Sequence, residues 1–326
     1  MGTVNKARIV FMGTPGFAVP TMEALVRAGH EVVGVVTAPD RPAGRGRQPR
    51  PSEVKVCALE LGLPVWQPER LKDPDFLAQL DNAAADMYIV VAFRMLPREV
   101  WARPRLGTVN LHASLLPQYR GAAPINWAVI NGEERSGITT FLIGATIDTG
   151  DLLLQEEMPI GADETAGELH DRMMMAGADL ILRTVDGLLT GTLLPKPQRE
   201  VAVLRPAPKL HAGTGRIDPA RPAAQVHDLV RGLSPYPGAW AMVEGEGRLK
   251  VLRTARSAHD APAPPGDVYA VQGVPLLRCA DGWLELKEVQ AEGRRRMSGA
   301  EHLRGIHHSA NNTSAPLFRL LPPEPR

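Results

Sequence analysis

The sequence predicts an α/β domain with a doubly wound, mostly parallel sheet, followed by a small C-terminal β-barrel domain. Three observations predict this. Over residues 1–190, short apolar or β-branched runs alternate with amphipathic stretches, as parallel strands joined by helical crossovers do. Residues 191–208 then hold four prolines and no helical period, which reads as a linker. From 209 to 326, short strand-like runs are punctuated by Gly and Pro, the habit of a small barrel.

The elements follow in order. Residues 8–12 form a short apolar strand, after which Thr14 can cap a helix over 15–28 with Pro15 in its first turn. Residues 31–37, with four valines, read as a buried parallel strand. A helix follows a capping Ser52, a strand lies near Val65-Trp66, and Asp73-Pro74 opens another helix. Strands at 87–92 and 108–112, a helix at 124–131, and strands at 137–143 and 151–158 come next. Thr165 with Glu168 three residues on is a capping box for a long helix to residue 189. Past the linker, a helix over 222–232 precedes strands at 239–243, 249–254, 267–271, 276–279 and 283–289.

Composition excludes several classes. A chain of 326 residues with 44% hydrophobic and 22% charged residues is that of a globular protein. Its longest apolar run, 87–93, is far short of the about 20 residues a membrane helix needs. The polar start carries no secretory signal, and Lys6 stands where myristoylation wants Ser or Thr. A cytoplasmic protein is expected. Cys57 and Cys279 lie far apart, which fits two idle thiols in a reducing compartment. The net charge of +1 gives no global basic signature, so a nucleic-acid partner would need local patches. Residues 209–326 carry 16 Lys+Arg against 12 Asp+Glu, a modest excess of +4.

The chemistry-bearing residues gather beyond strand ends, where open α/β sheets bind ligands. Asn110 and His112 stand two apart and so face one side of a strand. Either they are an amide donor and a titratable imidazole of a site for acyl chemistry, or His112 is a hydrogen-bonded core histidine and the loop after it only a turn. Asp148 sits in a Gly-flanked loop, as a solvated carboxylate or as one that favours a cationic imidazole beside it. The 40–50 loop has four arginines against one aspartate, with Pro and Gly opposing regular structure. It is a mobile basic arm or a solvated loop; arginine forks match phosphate oxygens. Gly13-Thr-Pro-Gly16 fails the dinucleotide fingerprint, and no P-loop or Gly-x-Ser-x-Gly is present. No nicotinamide or flavin is therefore expected. His302, His307 and His308 lack acidic or cysteine partners at ligand spacing, so no metal is expected either. Asn311 heads a glycosylation sequon with nothing else pointing to secretion.

Gly13-Thr-Pro-Gly-Phe-Ala-Val-Pro20, Asp40-Arg-Pro-Ala-Gly-Arg-Gly46, Ser114-Leu-Leu-Pro-Gln-Tyr-Arg-Gly-Ala-Ala-Pro124, Ile147-Asp-Thr-Gly-Asp151 and Ser234-Pro-Tyr-Pro-Gly-Ala-Trp240 are familiar together. The chain resembles the bacterial methionyl-tRNA formyltransferases, within the folate-dependent formyltransferase superfamily. The resemblance spans nearly the whole chain and weakens over 255–265 and the last twenty or so residues. It implies a Rossmann-like formyltransferase catalytic domain (1–190) and an OB-like barrel that binds tRNA (209–326). It implies transfer of a formyl group from 10-formyltetrahydrofolate to the α-amino group of methionine on initiator methionyl-tRNA. Asn110, His112 and Asp148 match the catalytic set. Ser114, Leu115, Leu116 and Pro117 match the border of the folate site, and Phe93, Arg94, Met95 and Leu96 its pterin slot. Many members have Tyr-Gly-x-Ile-Leu-Pro there, and this chain has Phe-Arg-Met-Leu-Pro97. Arg45 matches the loop that reaches tRNA, with Arg41 and Arg47 beside it.

With those roles the residues suit direct attack by the unprotonated amine and a tetrahedral oxyanion. Asn110 and a cationic His112 would donate to that oxygen, and Asp148 would hold His112 charged and accept the amine's proton. No covalent intermediate is needed, and a monomer is expected. The rivals are a folate-dependent formyltransferase acting on an amino sugar or ribonucleotide, and a non-catalytic RNA-binding module. The arginine loop and the barrel disfavour the first, and the strand-end Asn, His and Asp disfavour the second.

Overall fold

The computed structural model describes residues 6–43, 48–306 and 316–323. The chain divides into two compact units that are not two contiguous stretches. One comprises 1–124, 136–158 and 170–206, and the other 125–135, 159–169 and 207–326.

In the first unit the strands are β1 (Arg8–Gly13), β2 (Glu31–Val36), the short β3 (Arg41–Ala43) and β4 (Gln48–Arg50), β5 (Val65–Trp66), β6 (Met87–Val91), β7 (Thr108–His112), β8 (Arg135–Leu142) and β9 (Leu152–Pro159). Seven of them form one sheet in the order β5-β2-β1-β6-β7-β8-β9. Pairings from β5 to β7 are parallel, and β8 runs antiparallel to β7. β6 is buried along its whole length, as its uninterrupted apolar sequence requires.

The first helix differs from the sequence expectation. Thr14 caps nothing: Gly16–Ala18 is a 3-10 turn, and α1 (Val19–Arg27) starts after it with Pro20 in its first turn. Pro20 fits there because that turn has no carbonyl awaiting its missing N–H. α2 (Glu53–Glu60) is capped as expected, the Ser52 hydroxyl accepting from the Lys55 N–H, and Asp73 caps α3 (Pro74–Asn82). α4 (Arg98–Trp101), α5 (Pro124–Ile130) and α6 (Ala166–Leu189) complete the helices before residue 190. α6 comes so close to β7 that a Cβ on Gly177 would stand 2.5 Å from the Leu111 side chain. The capping box of α6 is formed: Glu168 accepts from the Thr165 N–H, and the Thr165 hydroxyl accepts from the Glu168 N–H. Those backbone contacts and Arg253 pull the Glu168 carboxyl down to about 2.

The second unit holds α7 (Ala223–Gly232), β10 (Ala239–Val243), β11 (Gly247–Ser257), β12 (Asp267–Val271), β13 (Val274–Arg278), β14 (Trp283–Ala291), β15 (Met297–Ser298), α8 (Gly299–Ile306) and β16 (Phe318–Leu321). All pairings are antiparallel, and β11 closes on β14 to make a six-stranded barrel with β15 appended. Its core is aliphatic, with Val226 and Val230 of α7 packed among Val251, Leu284 and Leu286. β16 is only four residues long, too short for its apolar–polar–apolar start to mark a strand by itself. It inserts between β10 and β12 and is needed to close the barrel.

Candidate active site

Asn110 and His112 leave β7 on one side, Asn110 half-buried and His112 only 6% exposed. The His112 Nε2 lies 2.9 Å from the Tyr119 carbonyl oxygen. A carbonyl only accepts, so Nε2 carries a hydrogen and donates it. Nδ1 is thereby left to face the Asp148 carboxylate, 3.8 Å from Oδ2. The separation is ion-pair range and longer than a hydrogen bond.

Asp148 reaches His112 by a path its sequence position does not suggest. Because β8 is antiparallel, Leu142 pairs with Val109, and the following loop leaves the sheet at the far end of β7 from His112. The loop therefore runs back along β7. Leu142 N–H donates to the Asp151 carbonyl at 2.9 Å, and a Cβ on Gly150 would sit 1.7 Å from the Leu142 oxygen. Only glycine permits that approach. Asp148 itself adopts the left-handed region at φ 52°, and its Oδ2 accepts from the Gly121 N–H at 2.9 Å.

A cavity of about 360 Å³ opens beside these groups. Phe93, Arg94, Met95 and Leu96 line it together with Asn110, Gly121, Ala122, Phe141 and the 143–148 loop. Its apolar walls with a few polar groups suit a flat ring system held in one orientation. The structure thus brings Phe93 to Leu96, Asn110 and Asp148 to one cavity, with His112 against the Asp148 carboxylate.

Three comparisons with known proteins bear on this chain. The formyl transferase family matches residues 7–185, and the formyl transferase C-terminal domain matches 209–307. A methionyl-tRNA formyltransferase of Bacteroides fragilis is 48% identical over 92% of this chain and 95% of its own. One from Acidobacterium capsulatum is 48% identical over 96% and 99%. The chain belongs to the bacterial methionyl-tRNA formyltransferase family. It is an enzyme of one-carbon transfer, and the family's formyl donor is 10-formyltetrahydrofolate. Among solved structures, HypX from Aquifex aeolicus in complex with tetrahydrofolic acid superposes with a TM-score of 0.65 at 18% identity. The match covers 92% of this chain, which spans about half of HypX, 47%. The sugar 3N-formyl transferase WlaRD gives 0.65 at 15% identity over 90% of this chain and 100% of its own. These two likenesses show the fold.

Within this family member, the other expected residues fall in distinct places. Ser114 is fully buried, its hydroxyl donating to the Gln118 carbonyl at 2.7 Å. Thr139, opposite His112 on β8, donates to the Ser114 carbonyl and accepts from the Leu116 N–H. Gln155 donates to the Leu116 carbonyl, and the Leu116–Pro117 peptide is cis. Ser114 to Pro117 lie outside the cavity lining and fix the course of the loop that carries Tyr119 and Gly121. Arg94 turns its guanidinium onto the carbonyls of Pro68 and Glu69 and over the Phe93 ring. Burial pushes its pKa down, and its Nε is enclosed with no partner. Leu96 is buried and Met95 is 71% exposed.

The basic arm is more regular than its Pro and Gly content suggests. β3 and β4 pair antiparallel, with Arg41 opposite Arg50, both exposed. At its base Asp40 accepts from Lys55 at 2.6 Å and from Gln67 at 2.8 Å, and the Lys55 contact holds its carboxyl below the usual range. Arg45 and Arg47 lie outside the described residues, as do His307, His308 and Asn311. His302 packs against Phe318, and burial lowers its pKa. Among the described residues no His, Cys, Asp and Glu gather as a metal site, and no helix is long and apolar enough to cross a membrane. Both cysteines are buried, and burial pushes Cys57 up to about 11 and Cys279 up to about 12.

Sequence reasoning missed three contributors. The Tyr119 carbonyl and the Gly121 N–H act through the backbone, which side-chain identity does not advertise. Gln198 donates to the Asp148 and Gly150 carbonyls from within a tract that reads as a linker.

Proposed function

We propose that this chain transfers the formyl group of 10-formyltetrahydrofolate to the α-amino group of methionine on initiator methionyl-tRNA, with Asn110, His112 and Asp148 as the reacting set. The observation that carries this is the convergence of Asn110 and Asp148 on one cavity, with His112 Nδ1 3.8 Å from the carboxylate. The neutral amine attacks the formyl carbon, forming a C–N bond while the carbonyl oxygen becomes an oxyanion. Asn110 donates one hydrogen bond to it, and cationic His112 donates another from Nδ1, since Nε2 is engaged by Tyr119. Asp148 favours that cation by its charge and takes the proton released by the amine. The bond to the folate nitrogen then breaks, and the proton passes through His112 to that nitrogen, so none is gained or lost.

Phe93, Arg94, Met95 and Leu96 are read as one wall of the folate site, with Ser114 to Pro117 bordering it from behind. Arg41, Arg45 and Arg47 are read as the arm that meets tRNA phosphates. The protein is read as a cytoplasmic monomer.

The test is acceptor-dependent release of tetrahydrofolate. Purified protein with 10-formyltetrahydrofolate is expected to release it only when charged initiator tRNA is added. Release with an amino-sugar nucleotide and none with methionyl-tRNA would replace this reading.

A further inference from the structure

Gln198 stands out in its surroundings. From residue 194 to 206 it alone is half-buried and every other side chain is exposed. All its hydrogen-bonding capacity is used. Its Nε2 donates to the carbonyls of Asp148 at 2.8 Å and Gly150 at 2.9 Å. Its Oε1 accepts from Arg120 Nε at 3.2 Å and Nη2 at 2.5 Å.

Those contacts close a ring. Arg120 precedes Gly121, whose N–H holds the Asp148 carboxylate. Gln198 thus joins the loop that supplies the N–H to the loop that supplies the carboxylate, while grasping Asp148 by its own backbone. The surrounding strand of chain is sewn down on both sides of it. Lys196 exchanges backbone hydrogen bonds with Leu152, at 2.9 and 2.7 Å, and the Arg205 carbonyl accepts from the Tyr119 N–H at 2.7 Å. Gln118 adds bonds to the Val203 carbonyl and the Arg205 N–H. The ring nitrogens of His112 face the Tyr119 carbonyl and the Asp148 carboxylate. Each belongs to a residue whose backbone is bonded to this segment.

We propose that residues 196–205 are a strap that sets the geometry of His112's two partners, and that Gln198 is a positioning residue for formyl transfer. This rests on the reading of Asn110, His112 and Asp148 as the reacting set. A linker role would ask only for length and exposure at residue 198. A positioning role asks for an amide, because one atom must donate to two carbonyls while the other accepts from a guanidinium. Glutamate keeps the second function and turns the first into repulsion between oxygens.

The experiment compares Gln198→Ala, Gln198→Glu and Asp148→Ala with the full-length enzyme, using charged initiator tRNA and 10-formyltetrahydrofolate. Displacing a reacting group by about 1 Å costs on the order of 100-fold, so both Gln198 variants are expected to lose roughly 10- to 100-fold in kcat. Both KM values should stay within about threefold, because neither substrate touches the amide in this scheme. Gln198→Glu should be no better than Gln198→Ala. Thermal unfolding, read alongside, should be close to wild type for this peripheral side chain. Wild-type kcat in Gln198→Ala beside an inactive Asp148→Ala would overturn the strap alone. So would a loss confined to the KM for tRNA, or full activity in Gln198→Glu. Near-normal turnover in Asp148→Ala would instead remove the reading on which the strap rests.

Discussion

Around His112 the polar contacts are internal, and backbone atoms share in them: Nε2 to a carbonyl, Asp148 to an N–H, Gln198 to two carbonyls. Around the β3–β4 ribbon they are made by side chains, the Lys55–Asp40 pair at its base and, beside it, two cross-strand neighbours of like charge, Arg41 and Arg50, both exposed. Both regions belong to the same compact unit. The contrast follows from what each must recognise. A transition state gains only from groups already aimed at the charge that will develop. A polyanion is captured by exposed charges that keep their hydration until contact and act at a distance set by salt.

The largest effect is therefore expected where the contacts are fixed. His112→Ala and Asn110→Ala should each lower kcat by about 100- to 1,000-fold, the usual loss for one oxyanion donor. KM for either substrate should change little. Single-turnover rates at saturating substrates measure this directly. A His112→Ala enzyme within a few-fold of wild type would mean that the internal network serves folding and not chemistry.

A smaller loss is expected when the same site keeps all its side chains and only their support moves. Gly150→Ala places a methyl group against the Leu142 carbonyl, where no flexible group can yield. The 143–151 loop must shift, carrying Asp148 with it. We expect kcat to fall by roughly tenfold or more and stability by about 1–3 kcal/mol. Urea unfolding read beside kcat separates the two. Full activity with lowered stability would show that Asp148 tolerates displacement, and would weaken the contrast drawn above.

What was legible in the sequence divides along the same line. β6 could be read because an uninterrupted apolar run admits few other conformations, and α3 because Asp73-Pro74 names its own cap. Asn110, His112 and Asp148 were legible as residue types but not as neighbours. Their meeting depends on β8 turning antiparallel, which no local propensity encodes. The helix start after Gly13 was misplaced because Pro15 and Pro20 both suit a first turn, and packing chose the second. β16 and Gln198 were invisible for a shared reason. Each acts by bonding to chain far away in sequence, from a stretch whose own composition reads as tail or linker.

The smallest effect is expected at the ribbon. Arg41 and Arg50 are cross-strand partners of like charge, an arrangement that costs a few tenths to about 1 kcal/mol unless something neutralises it. A phosphate lying across the ribbon would do so, and its loss should be felt in binding alone. We expect Arg41→Ala to raise the KM for charged tRNA by roughly threefold to tenfold, leaving kcat and the KM for 10-formyltetrahydrofolate unchanged. The slope of log kcat/KM against log salt should fall by about 1, the signature of one lost phosphate contact. A minimal amine acceptor without phosphates should not distinguish the variant from wild type. If it does, Arg41 acts on the reaction and not on tRNA. Such a result would place the ribbon among the fixed groups of the site, and the difference between the two regions would disappear.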